Sequence, residues 1–298
     1  MSHALAESIR SDTRYLFSRV GRQWRRRLLG QRPDVALQAG VEASDQADYS
    51  IGDDLKYVDW NRCARHDELV SKRFPGSELQ ELHLWCDASA SMGVGAGKWD
   101  FARRVVGALG QLAIRSGESV WMGAFAQSSL RPGGPWRGPS SEPAVAGELD
   151  GWTTADEPGD FRTMARWVTE RHPAGRTLIV ISDLFHSRDS HFDEAVRRLR
   201  RHRCNVLLIQ VFGPDEADPS LLGNFQLRDP ESGSGVGAVL SREDLAHYRD
   251  VFDEYCAGMR RLCRRASVGL LQTSSASRPA EAIARLTRLH QSFRRGGA

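Results

Sequence analysis

A short stretch in the first third of the chain carries three small oxygen-bearing side chains within five residues. Asp87, Ser89 and Ser91 stand in the sequence DASASM, just ahead of a glycine-rich turn. Carboxylate and hydroxyl oxygens are hard ligands, and Mg²⁺ in proteins takes few protein ligands while it keeps several waters. A tight turn can present two serines separated by one residue to the same ion. The pattern therefore predicts a candidate magnesium-type site, although it is weak when taken alone.

A second aspartate strengthens that interpretation. Asp183 ends the segment RTLIVISD, much as Asp87 ends ELHLWCD. Both preceding runs are short and apolar, which is typical of strands buried in a sheet. In open α/β sheets, ligands bind in the crevice outside the carboxyl ends of the strands. We therefore expect the two carboxylates to point towards one crevice.

The surrounding elements alternate between strands and helices from about residue 81 to 212. Strands are predicted at ELHLWCDA, SVWMGAFA, RTLIVISD and NVLLIQVF, and helices over 98–115, 161–171 and 191–202. The segment 127–147 is rich in Pro, Gly and Ser and is expected to be a long loop. After residue 213 we expect a hairpin in FQLRDPESGSGVGAVL, a helix over 242–265, a strand in VGLLQTS and a helix over 279–289.

This alternation indicates an α/β fold with a doubly wound, mostly parallel sheet. Residues 1–80 are expected to form an N-terminal extension that contains a helix and the GDD/DW segment and packs beside the main domain. Residues 81–298 form that domain, with a possible sub-boundary near 213. VGLLQTS is apolar enough to join the sheet, so the C-terminal segment is expected to complete the same domain.

Composition favours a soluble cytoplasmic protein. The chain of 298 residues has 40% hydrophobic and 27% charged residues, as ordinary globular proteins do. It has no run of 18 apolar residues and no signal-peptide pattern at its start. The five cysteines are scattered without a CxxC pair, which fits reduced thiols better than a disulfide framework or a cysteine zinc site.

The net charge of +3 is unevenly distributed. Residues 1–30 carry +5, residues 260–298 carry +8 and the middle carries −10. Basic ends could bind nucleic acid or another anionic surface. The alternative, which we favour, is that exposed arginines pair with the acidic middle of the same chain. The densest basic run, RQWRRRLLG, lacks the repeated aromatic residues of many nucleic-acid-binding segments.

Two sets of residues resemble known families. DASASM together with ISD is similar to the metal-ion-dependent adhesion site of the von Willebrand factor A fold. The upstream stretch YSIGDDLKYVDWNRCARHDELVSKRF resembles the signature of the domain of unknown function 58 family. The residues that fall on that signature are Gly52, Asp53, Asp54, Asp59, Trp60, Ala64, Arg65, Leu69, Lys72 and Phe74.

The resemblance implies a set of ligands and a role. Asp87, Ser89, Ser91 and Asp183 would hold Mg²⁺ or Mn²⁺ together with a threonine from a second loop. The sequence GWTTADEPGDF offers Thr153 or Thr154 for that position, with Thr154 favoured. The role implied is metal-dependent protein interaction, in which a partner protein supplies a carboxylate to the ion and no small-molecule substrate is involved.

Relatives are commonly associated with MoxR-family AAA+ ATPases in the assembly or maturation of other proteins. Such an ATPase, or its client, is therefore the partner that the resemblance implies. This chain has no GxxxxGK[ST] phosphate loop, so it is not expected to be the ATPase itself.

An enzymatic alternative uses the same aspartates. Asp87, Asp183 and a metal could position a water for hydrolysis, with His186 as general base. The chain has no HExxH or GxSxG motif, and neither serine stands in a nucleophile elbow, so the sequence favours binding over catalysis.

The GDD/DW segment has three possible roles. Its carboxylates could bind metal, form a structural network of turns and ion pairs, or contribute to a partner-docking surface. The structural network is favoured over metal binding because basic side chains stand nearby in the sequence. The residues concerned are Asp53, Asp54, Asp59, Trp60, Arg65 and Lys72.

Overall fold

The computed structural model describes residues 2–20, 45–48, 58, 60–66, 70–73, 81–95, 97–185 and 191–295. In chain order its elements are α1 (Ser2–Val20), β1 (Asp45–Asp48), α2 (Trp60–His66), β2 (Val70–Arg73), β3 (Glu81–Asp87), α3 (Ala90–Gly93), α4 (Lys98–Arg115), β4 (Ser119–Phe125), β5 (Leu130–Trp136), α5 (Glu142–Asp150), α6 (Phe161–Arg171), β6 (Thr177–Ser182), α7 (Phe192–Arg201), β7 (Asn205–Phe212), α8 (Pro214–Ala217), β8 (Gly223–Arg228), β9 (Gly235–Leu240), α9 (Arg242–Arg265), β10 (Gly269–Ser274) and α10 (Pro279–Arg295).

Six strands form the central sheet in the order β10-β7-β6-β3-β4-β5. Neighbouring strands are parallel except for β5, which runs antiparallel to β4 at one edge. Cys86 in β3 pairs with Ile181 in β6, so these two strands end side by side. The mixed α/β fold and the mostly parallel sheet are therefore as predicted. The register places the two strand-end aspartates together at the carboxyl ends of β3 and β6.

Helices cover both faces of the sheet. On one face, α1, α4 and α10 contribute Ile9, Leu109 and Ile283 to a core that also contains Leu84. On the other face, α6, α7 and α9 pack around Trp85. β3 is buried on both sides, and four of its seven residues are apolar, including the consecutive pair Trp85 and Cys86.

Most predicted elements lie where the sequence indicated. The helices over 98–115, 161–171 and 242–265 have the predicted bounds. The hairpin forms as β8 and β9, and β10 joins the sheet beside β7. The last helix continues to Arg295 instead of ending at residue 289.

The predicted loop over 127–147 is wrong. It contains the edge strand β5, a 3₁₀ turn at Pro139–Ser141 and the start of α5. The prolines and glycines of LRPGGPW suggested a loop, but an edge strand tolerates proline because its outer side has no neighbour to receive an N–H. Antiparallel pairing with the preceding strand β4 makes this stretch the second strand of a hairpin.

Helix α1 belongs to the predicted N-terminal extension and packs on the main core. Ile9 and Leu16 are fully buried there. Thr13 Oγ1 lies 3.1 Å from Gln111 Oε1, and Asp12 accepts a hydrogen bond of 2.8 Å from Arg104 Nη2. Among the described helices, none is both long and apolar enough to cross a membrane.

Candidate metal centre

Asp87 is held firmly at the carboxyl end of β3. Its side chain is buried, and Oδ1 accepts a hydrogen bond of 2.9 Å from the Ser89 backbone N–H. Oδ2 accepts a hydrogen bond of 2.7 Å from Ser182 Oγ, and that hydroxyl in turn accepts one of 2.9 Å from the N–H of Leu184. Ser182 therefore links Asp87 to the loop that carries Asp183.

The two predicted serine ligands face one another. Ser89 and Ser91 flank the start of α3, both are buried, and their Oγ atoms lie 3.1 Å apart. Mg²⁺–oxygen distances of 2.0–2.1 Å in octahedral geometry place adjacent ligand oxygens about 2.9 Å apart. The separation of the serine hydroxyls therefore fits two neighbouring ligands of one small divalent ion.

The threonine loop docks onto the same turn through its backbone. Ala155 N–H donates to Ala88 O at 2.7 Å, and Ala90 N–H donates to Glu157 O at 3.0 Å. Thr154 Oγ1 faces α3, 3.0 Å from the position that a Cβ on Gly93 would occupy, whereas Thr153 is exposed. Thr154 therefore faces the helix that follows Ser89, whereas the choice between the two threonines as a ligand stays a prediction.

The turn before α6 leaves no space for a side chain beside Asp87. A Cβ added at Gly159 would lie 2.9 Å from both Asp87 carboxylate oxygens, closer than Cβ atoms approach other atoms. Glycine at this position therefore lets the backbone approach the carboxylate closely, a role that glycine often has at binding sites.

Asp183 has a basic partner that the sequence did not predict. Its Oδ2 lies 2.9 Å from the ammonium of Lys98, the first residue of α4, which also binds Glu216 Oε1 at 2.5 Å. Lys98 is almost completely buried, and its Nζ lies 5.2 Å from the centre of the Phe185 ring. A lysine in the first turn of a helix opposes the helix dipole, and this is the one sequence signal that could have marked Lys98.

The carboxylates of the site outnumber the ammonium group that pairs with them. Burial, followed by the charge of Asp183, raises the pKa of Asp87 to about 6 despite its hydrogen bonds from Ser182 and Ser89. Lys98 provides one positive charge against the three carboxylates of Asp87, Asp183 and Glu216. When all three are ionised, the group carries two excess negative charges, which a divalent ion would neutralise.

A cavity of about 300 Å³ lies beside the threonine loop. Ala88, Thr154 and Glu157 line it, together with Arg131 from the edge strand β5. Of the predicted ligands Thr154 lines the cavity, and so does the alternative residue Thr153.

The other predicted residues lie elsewhere. Trp60 and Arg65 are exposed on α2, with 59% of Trp60 accessible, and Lys72 stands in β2 opposite Gln46. Outside the described residues are Asp53, Asp54, Asp59 and His186, the residue considered as a general base.

A family model described as "Protein of unknown function DUF58" matches residues 45–257, well over half of the chain. The chain belongs to the DUF58 family. The match contains β3, β6 and the loops that carry the candidate ligands of this DUF58 chain. Among curated proteins, no sequence matches it.

Several solved structures show low similarity to this chain. A conserved hypothetical protein BatB from Bacteroides thetaiotaomicron is 16% identical, with a TM-score of 0.47, over 72% of this DUF58 chain and 99% of its own. An aerotolerance-related membrane protein from Bacteroides fragilis has the same identity and coverages, with a TM-score of 0.44. Proximal thread matrix protein 1 from the mussel byssus is 10% identical over 72% of this chain and 46% of its own, with a TM-score of 0.39. These scores carry no inference about function.

Proposed function

We propose that this DUF58 chain is a non-enzymatic, metal-dependent protein-interaction module of the von Willebrand factor A type. Asp87, Ser89, Ser91 and Thr154 would hold Mg²⁺ or Mn²⁺, with Asp183 completing the charge around the ion. The positively charged ion would keep an open coordination position, and a carboxylate of another protein can fill it. The chain's residues fix the ligand oxygens and exclude water from the sides of the site.

The observation that carries the proposal is that three loops meet at the carboxyl ends of the parallel strands. The turn after β3 brings two hydroxyls to 3.1 Å from each other, and the threonine loop is bonded to that turn by two backbone hydrogen bonds. The loop after β6 is tied to Asp87 through Ser182. A buried carboxylate whose pKa is raised to about 6 gains stability when a cation neutralises it.

The contacts of the aspartates fix their oxygens in place. Both oxygens of Asp87 accept hydrogen bonds, and one oxygen of Asp183 accepts from Lys98 while the other accepts from the Phe185 N–H at 3.3 Å. Each carboxylate oxygen has two lone pairs, so each can still bind an ion. The choice of binding over hydrolysis rests on the family resemblance and on the absence of HExxH and GxSxG motifs from the sequence.

The partner that we propose is a MoxR-family AAA+ ATPase or its client. This choice rests on the family resemblance. The chemistry of the site adds that the partner contributes an aspartate or glutamate to the ion. Arg131, at the wall of the adjacent cavity, would add attraction for an acidic segment.

The test is a binding assay between the purified chain and a purified MoxR-family ATPase in Mn²⁺, Mg²⁺ or EDTA. We expect binding in either ion, none in EDTA, and none for the Asp87→Ala variant or for the double variant Ser89→Ala/Ser91→Ala. The double variant Ser232→Ala/Ser234→Ala is a matched control, because these serines have the same spacing in the exposed β8–β9 turn. Metal-independent binding would contradict the proposal.

A further inference from the structure

A second cluster of metal-ligating side chains lies at the amino end of β3, the end opposite Asp87. Glu81 and His83 are the first and third residues of β3, so they project from the same face, and His172 directly follows α6. His172 Nδ1 lies 3.4 Å from Glu81 Oε2, and His83 Nε2 lies 3.7 Å from the same oxygen. One ligand atom from each residue lies within 4.8 Å of the others.

Several polar atoms of this cluster have no hydrogen-bond partner within the described parts of the chain. They are both ring nitrogens of His83, Nε2 of His172 and Oε2 of Glu81. His83 is 0% exposed, so water at the surface does not reach its ring. Buried polar atoms almost always have a partner. Glu81 Oε2 lies 3.7 Å from His83 Nε2, too far for a hydrogen bond, so an ion bound between these atoms would satisfy both.

We propose that Glu81, His83 and His172 form a binding site for Zn²⁺ or a closely similar transition-metal ion, separate from the Asp87 centre. Zinc–nitrogen and zinc–oxygen distances near 2.1 Å in tetrahedral geometry place ligand atoms about 3.4 Å apart. The two distances to Glu81 Oε2, 3.4 and 3.7 Å, are close to that spacing, and all three ligand atoms lie within 4.8 Å of one another. Two histidines and one glutamate form a zinc ligand set that leaves a fourth position for water or another ligand.

The two sites are far apart and differ in chemistry. Six residues of extended chain separate Glu81 from Asp87, a distance of about 20 Å along β3. Imidazole nitrogens favour zinc and similar transition metals, whereas the hydroxyls around Asp87 favour Mg²⁺ or Mn²⁺. A zinc ion here would join the start of β3 to the end of α6.

The surroundings agree with metal binding. Burial lowers the pKa of His83, and burial followed by the nearby His83 lowers the pKa of His172. Trp121 and Trp167 pack against His172, each with its ring centre 4.7 Å away, and provide the apolar shell that is common around metal ligands.

Arg176 is the natural competitor of the ion. Its Nε lies 3.3 Å from Glu81 Oε2, and among the described residues this nitrogen has no hydrogen-bond partner. Interaction with His83, followed by the charge of Arg176, lowers the pKa of Glu81 to about 2 against the opposing effect of burial, so the carboxylate is ionised. Removing this arginine should therefore tighten metal binding, whereas a purely structural cluster would only lose an ion pair.

The test uses the metal-stripped full chain and Co²⁺, whose open d shell quenches nearby tryptophan fluorescence. Bound Co²⁺ would lie close to two indole rings, and added Zn²⁺ should displace it and restore the emission. We expect Glu81→Gln and His172→Phe to weaken Co²⁺ binding at least about tenfold, since even outer-shell changes cost that much. Arg176→Gln should strengthen it, and Zn²⁺ should raise the melting temperature of the unsubstituted chain.

Two control variants separate the sites. Asp87→Ala removes the other centre, and His247→Phe makes the same substitution at an exposed histidine of α9; both should quench as the unsubstituted chain does. Either ligand variant, if folded by circular dichroism, decides the question. Quenching that is unchanged in a folded Glu81→Gln or His172→Phe variant, or that is lost in Asp87→Ala, would overturn the proposal.

Discussion

Replacing Asp87 with asparagine should stabilise the metal-free protein at neutral pH while it abolishes metal binding. Asparagine keeps the shape of the side chain, and its oxygen can still accept the N–H of Ser89. The substitution removes a buried charge that desolvation and Asp183 make unfavourable. If Asp87 served stability alone, its replacement would destabilise the protein. A gain in stability is instead expected where a residue is kept for binding at some cost to stability.

The magnitude follows from the shift in the Asp87 pKa. Its ordinary value of 3.8 rises to about 6 in the fold, which costs about 3 kcal/mol of folding free energy at pH 7. The folded state holds the proton more tightly than the unfolded state does. The penalty is therefore absent below pH 3.8 and grows as the pH rises to about 6, where it levels off.

The assay is urea unfolding in EDTA at pH 4 and pH 7.5, followed by tryptophan fluorescence. The stability of Asp87→Asn relative to the unsubstituted chain should increase by about 2–3 kcal/mol from pH 4 to pH 7.5. The Asp250→Asn variant, at an exposed position of α9, is the control and should show no such change. A pH-independent difference for Asp87→Asn would refute the reasoning.

Three further predictions concern the same site. Gly159→Ala places a Cβ 2.9 Å from the Asp87 carboxylate, so it should lower stability by about 1–3 kcal/mol and weaken Mn²⁺ binding in calorimetry, whereas Gly147→Ala, with nothing within 4 Å, should be neutral or slightly stabilising. Lys98→Met leaves two acidic partners without their buried cation and should cost about 3–5 kcal/mol in urea unfolding; a cost below 1 kcal/mol would show that the ion pairs matter little. Thr154→Val should weaken Mn²⁺ binding more than Thr153→Val, and the reverse order would reassign the threonine ligand.

The sequence predicted the positions of the two strand-end aspartates for a physical reason. Strands buried on both faces are rich in apolar residues, so an aspartate at the end of an apolar run is conspicuous. Asp87 and Asp183 each follow one of these runs, and the parallel register of β3 with β6 places them at the same edge. The helix over 98–115 was equally clear, because its apolar residues recur at helical spacing.

Contacts between distant segments were not predictable in this way. Lys98 reaches Glu216, 118 residues further along the chain, and no local pattern encodes that pairing. The edge strand β5 was missed for a different, local reason: it forms a hairpin with β4 after only four connecting residues, but its prolines and glycines resemble a loop. His172 is a single histidine after a helix, and its place beside Glu81 depends on how α6 packs on the sheet.

The most direct measurement is a calorimetric titration of Mg²⁺ and Mn²⁺, up to millimolar concentrations, into metal-stripped protein. The proposed function predicts one site for these ions that disappears in the folded variants Asp87→Ala and Ser89→Ala/Ser91→Ala and persists in Glu81→Gln. Absence of binding, or binding that is indifferent to the Asp87 and serine substitutions, would contradict the proposed metal centre.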